Sequence, residues 1–107
     1  PGLESHPDHA VANDILTGFG GMLSVILSGG GPAADRFVSA LSVAVAAPSL
    51  GGVETLVSQP RHTSHAGLSA ADRADQGIPD GFVRISVGVE DAADLIADVE
   101  QALAQAP

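Results

Sequence analysis

Residues Phe82 to Val89 alternate without a break: Val83, Ile85, Val87 and Val89 are apolar, and Phe82, Arg84, Ser86 and Gly88 lie between them. Successive side chains on a strand point to opposite faces, so the pattern predicts a strand with one face in a core and a mixed face turned away from it. The residues that follow predict the layer over the apolar face. Asp91 opens a helix on which Leu95, Ile96, Val99, Ala102 and Leu103 form one stripe, while Asp94, Asp98 and Glu100 are expected to face water. Acids in its first turn suit the helix dipole.

One strand and one helix do not make a stable fold, and the upstream sequence supplies the other elements. Pro7 and Asp8 start a helix carrying Val11, Ala12, Ile15 and Leu16, and Gly18 stops it. Met22 to Ser28 predicts a strand with Leu23, Val25 and Leu27 on one face and Ser24 and Ser28 on the other. Gly29-Gly30-Gly31 then break the chain. Pro32 stands at a first helical position before Phe37, Val38, Leu41 and Val45, which predict a second helix to about Ala44. Pro48 ends it, and Ser49 to Val57 suits a short strand flanked by tight turns. Ser58 to Gly67 has no periodicity and predicts a loop placed to line a site. Ser69-Ala70-Ala71-Asp72 has the spacing of a capping box and opens a short helix that Gly77 closes. The order is helix, strand, helix, strand, loop, short helix, strand, helix. It predicts an α+β fold over residues 1–107, a small antiparallel-rich sheet with helices on one face.

Composition narrows the function classes. Three Phe are the only aromatic residues among 107, so the core is expected to be thin and built from Ala, Val, Leu and Ile. Thirteen acids against four Arg leave a formal charge of −9, which argues against nucleic acid as a partner, because phosphate neutralisation needs clustered cations. The apolar runs Met22 to Leu27 and Leu41 to Ala47 are far short of the roughly 20 residues of a membrane helix, so no membrane partner is expected. With no cysteine for disulfides and no charged leader before an apolar stretch, a cytoplasmic location is expected.

Every basic residue is Arg, at positions 36, 61, 73 and 84, so no side-chain amine is available for a Schiff base. Arg84 is unusual among them as a fixed cation in mid-strand. Its guanidinium suits two parallel bonds to a carboxylate, and the pattern equally allows an edge-strand Arg paired with one of the thirteen acids. Periodicity does not choose between these. The pairs His6/His9 and His62/His65 have a spacing that shares a helix face, but the first spans Pro7 and the second lies in the predicted loop, so loop contacts are expected and not a metal site. No Gly-x-Ser-x-Gly elbow and no phosphate-binding Gly-Lys-Ser/Thr run is present.

Several runs together resemble a known family. Pro1-Gly2-Leu3 with Ser5-His6-Pro7 and His9, Gly18-Phe19-Gly20-Gly21-Met22-Leu23-Ser24, Ser49-Leu50-Gly51-Gly52-Val53-Glu54-Thr55-Leu56, Pro60 with Ser64-His65-Ala66, and Gly81 to Asp91 occur in order across nearly the whole chain. The series is similar to the C-terminal domain of the pyridoxal-phosphate (PLP) enzymes of cysteine and methionine metabolism, the cystathionine synthase, cystathionine lyase and methionine γ-lyase group. The resemblance implies a C-terminal domain of the aspartate-aminotransferase-type PLP fold, working in a homotetramer beside a larger upstream PLP-binding domain. That domain would supply the Schiff-base lysine, so this chain alone is expected to be inactive. The resemblance further implies that an amino-acid substrate binds between the two domains, its α-carboxylate held by Arg84 with Ser49 assisting and Ser64 close by. Three positions depart from the family pattern. Pro48 stands where cystathionine-using members often have an acid, Thr63 replaces a usual Met, and Ser28 replaces a frequent Lys.

Two functions accord with this sequence. One is the C-terminal part of a PLP-dependent C–S lyase or transferase, acting by γ-elimination or γ-replacement, and a start at Pro1 in place of Met accords with it. The other is a free-standing, non-catalytic amino-acid-binding or regulatory module.

Overall fold

The computed structural model describes all residues from Pro1 to Pro107. Four strands form one sheet in the order β1-β4-β3-β2, with β1 Met22–Ile26, β2 Val45–Ala46, β3 Leu56–Ser58 and β4 Phe82–Ser86. β4 is central and runs antiparallel to both neighbours, whereas β2 and β3 pair in parallel. The helices are α1 His9–Ile15, α2 Gly30–Ala40, α3 Ala70–Asp75 and α4 Ala92–Ala104, with a single 3₁₀ turn at Pro60–His62. The expected α+β fold with an antiparallel-rich sheet is the one found.

Register explains the two faces. Leu23 lies opposite Ile85, Val25 opposite Val83, and Val57 opposite Ile85 from the other side, so one face of the sheet is apolar across three strands. α2 and α4 pack over it, and Phe37, Val57 and Val83 are the largest fully buried side chains, with Ala33, Ala34 and Ala102 packed among them. Burial of a Phe or Val side chain of this kind stabilises by about 1.5–3 kcal/mol. The alanines let α2 and α4 approach closely but add little area, which makes the core thin.

Local signals operate as the residue types dictate. Ser69 Oγ accepts from the Asp72 N–H at 3.2 Å and donates to the Asp72 carboxylate at 2.6 Å. At the other end of α3 the Ile78 N–H reaches the Arg73 carbonyl and the Gly77 N–H the Ala74 carbonyl, a Schellman ending that needs the φ of +75° at Gly77. Asp91 caps α4 by accepting from the Ala93 N–H at 2.8 Å. Asp8 makes no side-chain cap, and α1 ends at Ile15, before Gly18.

Five expectations need correction. α2 begins at Gly30, with Pro32 inside its first turn, and stops at Ala40, not near Ala44. Its continuation is diverted because the N–H groups of Ser42, Val43 and Ala44 bond the Asp98 carboxylate at 2.7, 2.9 and 3.0 Å. Asp98 is therefore buried, 5% exposed, and does not face water. Val45 and Ala46 then form β2, a strand the sequence did not suggest, because Val45 had fitted the helical stripe. The strand expected over Ser49 to Val57 contracts to Leu56–Ser58, and β4 ends at Ser86, short of Val89.

The apolar face is incompletely covered. Leu23 and Val25 are 44% and 36% exposed, although their partners Ile85 and Val83 are 6% and 0% exposed. On α4, Ile96 and Leu103 are exposed as well. Between them lies a groove of about 480 Å³ lined almost wholly by hydrophobic side chains, which no part of these 107 residues covers.

Candidate functional site

The sheet face turned away from α2 and α4 carries Arg84, Phe82 and Ser86 from β4, Met22 and Ser24 from β1, and Ser58 from β3. β4 is an interior strand, which removes the reading of Arg84 as an edge-strand cation. Its ion-pairing alternative is absent as well. The salt bridges of the chain join Arg61 and His62 to Asp35 and Arg73 to Asp80, and none involves Arg84. The Arg84 Nε instead lies 3.1 Å from the Met22 Sδ, a weak acceptor. A half-buried guanidinium thus reaches from β4 to Met22 on β1 without a carboxylate partner.

Ser49 comes to the same face from the loop between β2 and β3. Its hydroxyl donates to the Ser86 Oγ at 2.9 Å, and Ser86 is two residues along β4 from Arg84, on the same side. Ser49 therefore reaches the sheet face that carries Arg84, through its bond to Ser86. Ser64 is placed differently. It is exposed, and its hydroxyl pairs with the adjacent His65 Nδ1 at 2.8 Å, with no bond to Arg84 or Ser49. The segment that leads to it, the 3₁₀ turn at Pro60–His62, packs against β4.

Sequence reasoning missed the residues that hold the Ser49 loop. The Glu90 carboxylate accepts the Thr55 N–H at 2.6 Å and the Thr55 hydroxyl at 2.7 Å, and the Thr55 Oγ1 accepts the Gly88 N–H at 2.9 Å. The bonds from the Thr55 N–H and hydroxyl hold the Glu90 carboxyl below the usual carboxylate range. Gly88 is required here, because a Cβ would run into the Val53 carbonyl oxygen and the Glu54 carbonyl carbon. The available signal was a glycine inside the alternating run, which marks a place where another backbone comes close.

A second cluster is structural. Asp35 on α2 pairs with Arg61 at 2.5 Å and His62 at 3.1 Å and accepts from the Gln59 side chain, and the bond from Arg61, with smaller help from His62 and Gln59, lowers its pKa to about 2 despite partial burial. Arg61 also bonds the Gly31 carbonyl, so the 3₁₀ turn is tied to the start of α2. The two N-terminal histidines make local contacts: His6 accepts from the Asp8 N–H, and His9 bonds the Pro1 carbonyl.

The molecule is thus an α+β module that carries a guanidinium without an acidic partner and a serine hydroxyl on the sheet face turned away from α2 and α4. Comparison with known proteins identifies which kind. Residues 1–104 match the family described as Cys/Met metabolism PLP-dependent enzyme, and the chain belongs to that family. It is 50% identical over 103 residues to cystathionine gamma-synthase 1, chloroplastic, of Nicotiana tabacum, covering 96% of this chain and 19% of that protein. To the L-methionine gamma-lyase of Pseudomonas deceptionensis it is 45% identical over 103 residues, covering 96% of this chain and 26% of the relative. Among solved structures it superposes on cystathionine gamma synthase from Xanthomonas oryzae pv. oryzae in complex with cystathionine with a TM-score of 0.88 and 45% identity, covering 99% of this chain and 27% of that one. The chain therefore spans about a quarter or less of the length of these relatives.

The residues present do not by themselves fit PLP. The chain has no Lys for the covalent attachment. No helix is long and apolar enough to cross a membrane.

Proposed function

We propose that this chain is the C-terminal, substrate-binding part of a PLP-dependent sulfur amino-acid C–S lyase or transferase, acting by γ-elimination or γ-replacement in a homotetramer, in the cytoplasm. The observation that carries the reading is the Arg84 guanidinium, fixed on the central strand without an acidic partner. A substrate α-carboxylate supplies that partner through two parallel N–H···O bonds, each contributing about 1.5–3 kcal/mol. With the Ser86 hydroxyl turned to donate to Ser49, the Ser49 proton is released to donate a further bond to the same carboxylate. Ser64, which follows the 3₁₀ turn packed against β4, is the third contact.

PLP, which an upstream domain would hold, would supply the electron-sink chemistry in the intact enzyme. The residues of this chain orient the substrate. Gripping the carboxylate at one end sets which Cα bond faces the catalytic amine, so Arg84 affects turnover as well as binding. The uncovered apolar groove beside Leu23 and Val25 favours this reading over a free-standing module, which would leave those side chains in water.

The test is Arg84→Ala in the full-length enzyme, together with the coding sequence upstream of Pro1. Weaker amino-acid binding with lower turnover, and an upstream PLP-binding domain, are expected. Unchanged binding and turnover would remove the anchor, and the lack of an upstream domain would leave the binding module.

A further inference from the structure

The loop Pro48–Glu54 carries Ser49, and little of it is packed: Leu50 is 96% exposed and Val53 is 64% exposed. What holds it lies at its ends. Upstream, the Val45 N–H reaches the Thr55 carbonyl and the Ala47 N–H reaches the Val57 carbonyl. Downstream, Thr55 is buried, 3% exposed, and every polar group of its side chain is used, the hydroxyl donating to Glu90 and accepting from Gly88. The Val89 N–H adds a bond to the Val53 carbonyl at 2.9 Å. Gly88, Val89 and Glu90 continue directly from β4, the strand that carries Arg84. The loop is thus pinned to the C-terminal extension of the strand it must face, and within the loop the Ser49 to Ser86 bond is the one side-chain link to that strand.

We propose that Thr55 and Glu90 are positioning residues for the Ser49 hydroxyl, setting its place relative to the Arg84 guanidinium. The proposal rests on the reading of Arg84 and Ser49 as a carboxylate grip and extends it to two residues that touch no substrate. The physical reason is rigidity: a short, solvent-exposed loop with two glycines holds a hydroxyl in place only if its ends are fixed. A carboxylate that accepts two bonds from one residue fixes both the backbone and the side chain at that end.

The experiment uses the full-length holoenzyme and glycine, which presents an α-carboxylate and no side chain to eliminate. Glycine is titrated against the wild type, Thr55→Val, Thr55→Ser, Ser49→Ala and the Thr55→Val/Ser49→Ala double variant, following the absorbance of the bound cofactor. Thr55→Val keeps the shape and loses the hydroxyl; it is expected to weaken glycine binding roughly fivefold to tenfold. Thr55→Ser is expected to restore wild-type affinity. In the Ser49→Ala background Thr55→Val is expected to add nothing, because the two act as one unit. Unchanged affinity in Thr55→Val beside a weakened Ser49→Ala, or an equal loss in both backgrounds, overturns the proposal alone. A silent Ser49→Ala overturns the grip on which it rests. Should Thr55→Val lose the cofactor, Glu90→Gln takes its place in the same cycle, with the same outcomes.

Discussion

The Asp98 carboxylate accepts the backbone N–H of Ala44 at 3.0 Å across 54 positions of sequence, and the N–H groups of Ser42 and Val43 bond the same carboxylate. Gln101, one turn further along α4, donates to Asp98 at 3.1 Å and to the Ala40 carbonyl at 2.6 Å. One turn of α4 thereby satisfies both the last carbonyl of α2 and the three N–H groups that follow it. These bonds stop the helix and start β2.

Asp98→Ala leaves those N–H groups without their acceptor. Ser42 and Val43 are exposed enough for water to replace it, but Ala44 is buried. The expected cost is about 1–3 kcal/mol, the penalty for one unsatisfied buried donor. Amide hydrogen exchange at Ala44 in the intact protein is the measurement, and it should accelerate by roughly tenfold to a hundredfold. Unaltered protection there would show that the carboxylate is not what holds the turn.

Acid should act on the same joint. Burial pushes the Asp98 carboxyl up, but the N–H bonds from Ala44, Ser42 and Val43, with Gln101, outweigh it and leave the pKa below the ordinary value. A group with a depressed folded pKa binds fewer protons folded than unfolded in this range. Its contribution is complete above the unfolded value of about 3.9 and is lost as pH falls through the folded value. Asp35, lowered from 3.8 to about 2, adds a smaller loss over the same range because it is half exposed. Unfolding midpoints measured from pH 5 down to about 2 should fall steeply in the wild type and less steeply in Asp98→Asn.

Arg84→Lys keeps the charge and removes the two-pronged geometry. In the full-length enzyme, amino-acid affinity should drop by about tenfold, between the wild type and Arg84→Ala, because an ammonium makes a point contact where a guanidinium makes two parallel ones. Equal affinity in Lys and Arg forms would mean that charge alone is used.

Gly88→Ala places a methyl group against the backbone of Val53 and Glu54, neither of which is a flexible side-chain end. The segment leading into Thr55 must shift, at a cost of about 1–3 kcal/mol. Thermal unfolding of the intact protein should show the loss, and it should be absent in Gly67→Ala, where a Cβ meets nothing within 4 Å.

The groove predicts the behaviour of these 107 residues produced alone. Leu23, Val25, Ile96 and Leu103 present apolar surface to water, so the isolated chain should bind a hydrophobic dye and self-associate. Leu23→Glu should reduce both. A monomer indifferent to the dye would indicate that the groove closes in solution.

The alternation at Phe82–Val89, the stripe on α4 and the capping residues Ser69 and Asp91 were legible because each is a local pattern set by backbone geometry. The family runs around Ser49 and Arg84 were legible for a similar reason, since a motif is read along the chain. What the linear pattern misjudged was decided by bonds between distant residues. Asp98 has the spacing of a solvated acid, yet three N–H groups 54 to 56 positions away draw it inside. Thr55 and Glu90 meet across 35 positions, which no periodicity reports. The absence of an acid beside Arg84 likewise depends on where every other carboxylate comes to rest. Residue order alone indicated most of the elements, the apolar faces of β4 and α4 and the candidate cation, but not β2 or the end of α2. The tertiary structure decided which polar groups satisfy one another, because a hydrogen bond depends on separation in space and local periodicity reports only separation along the chain.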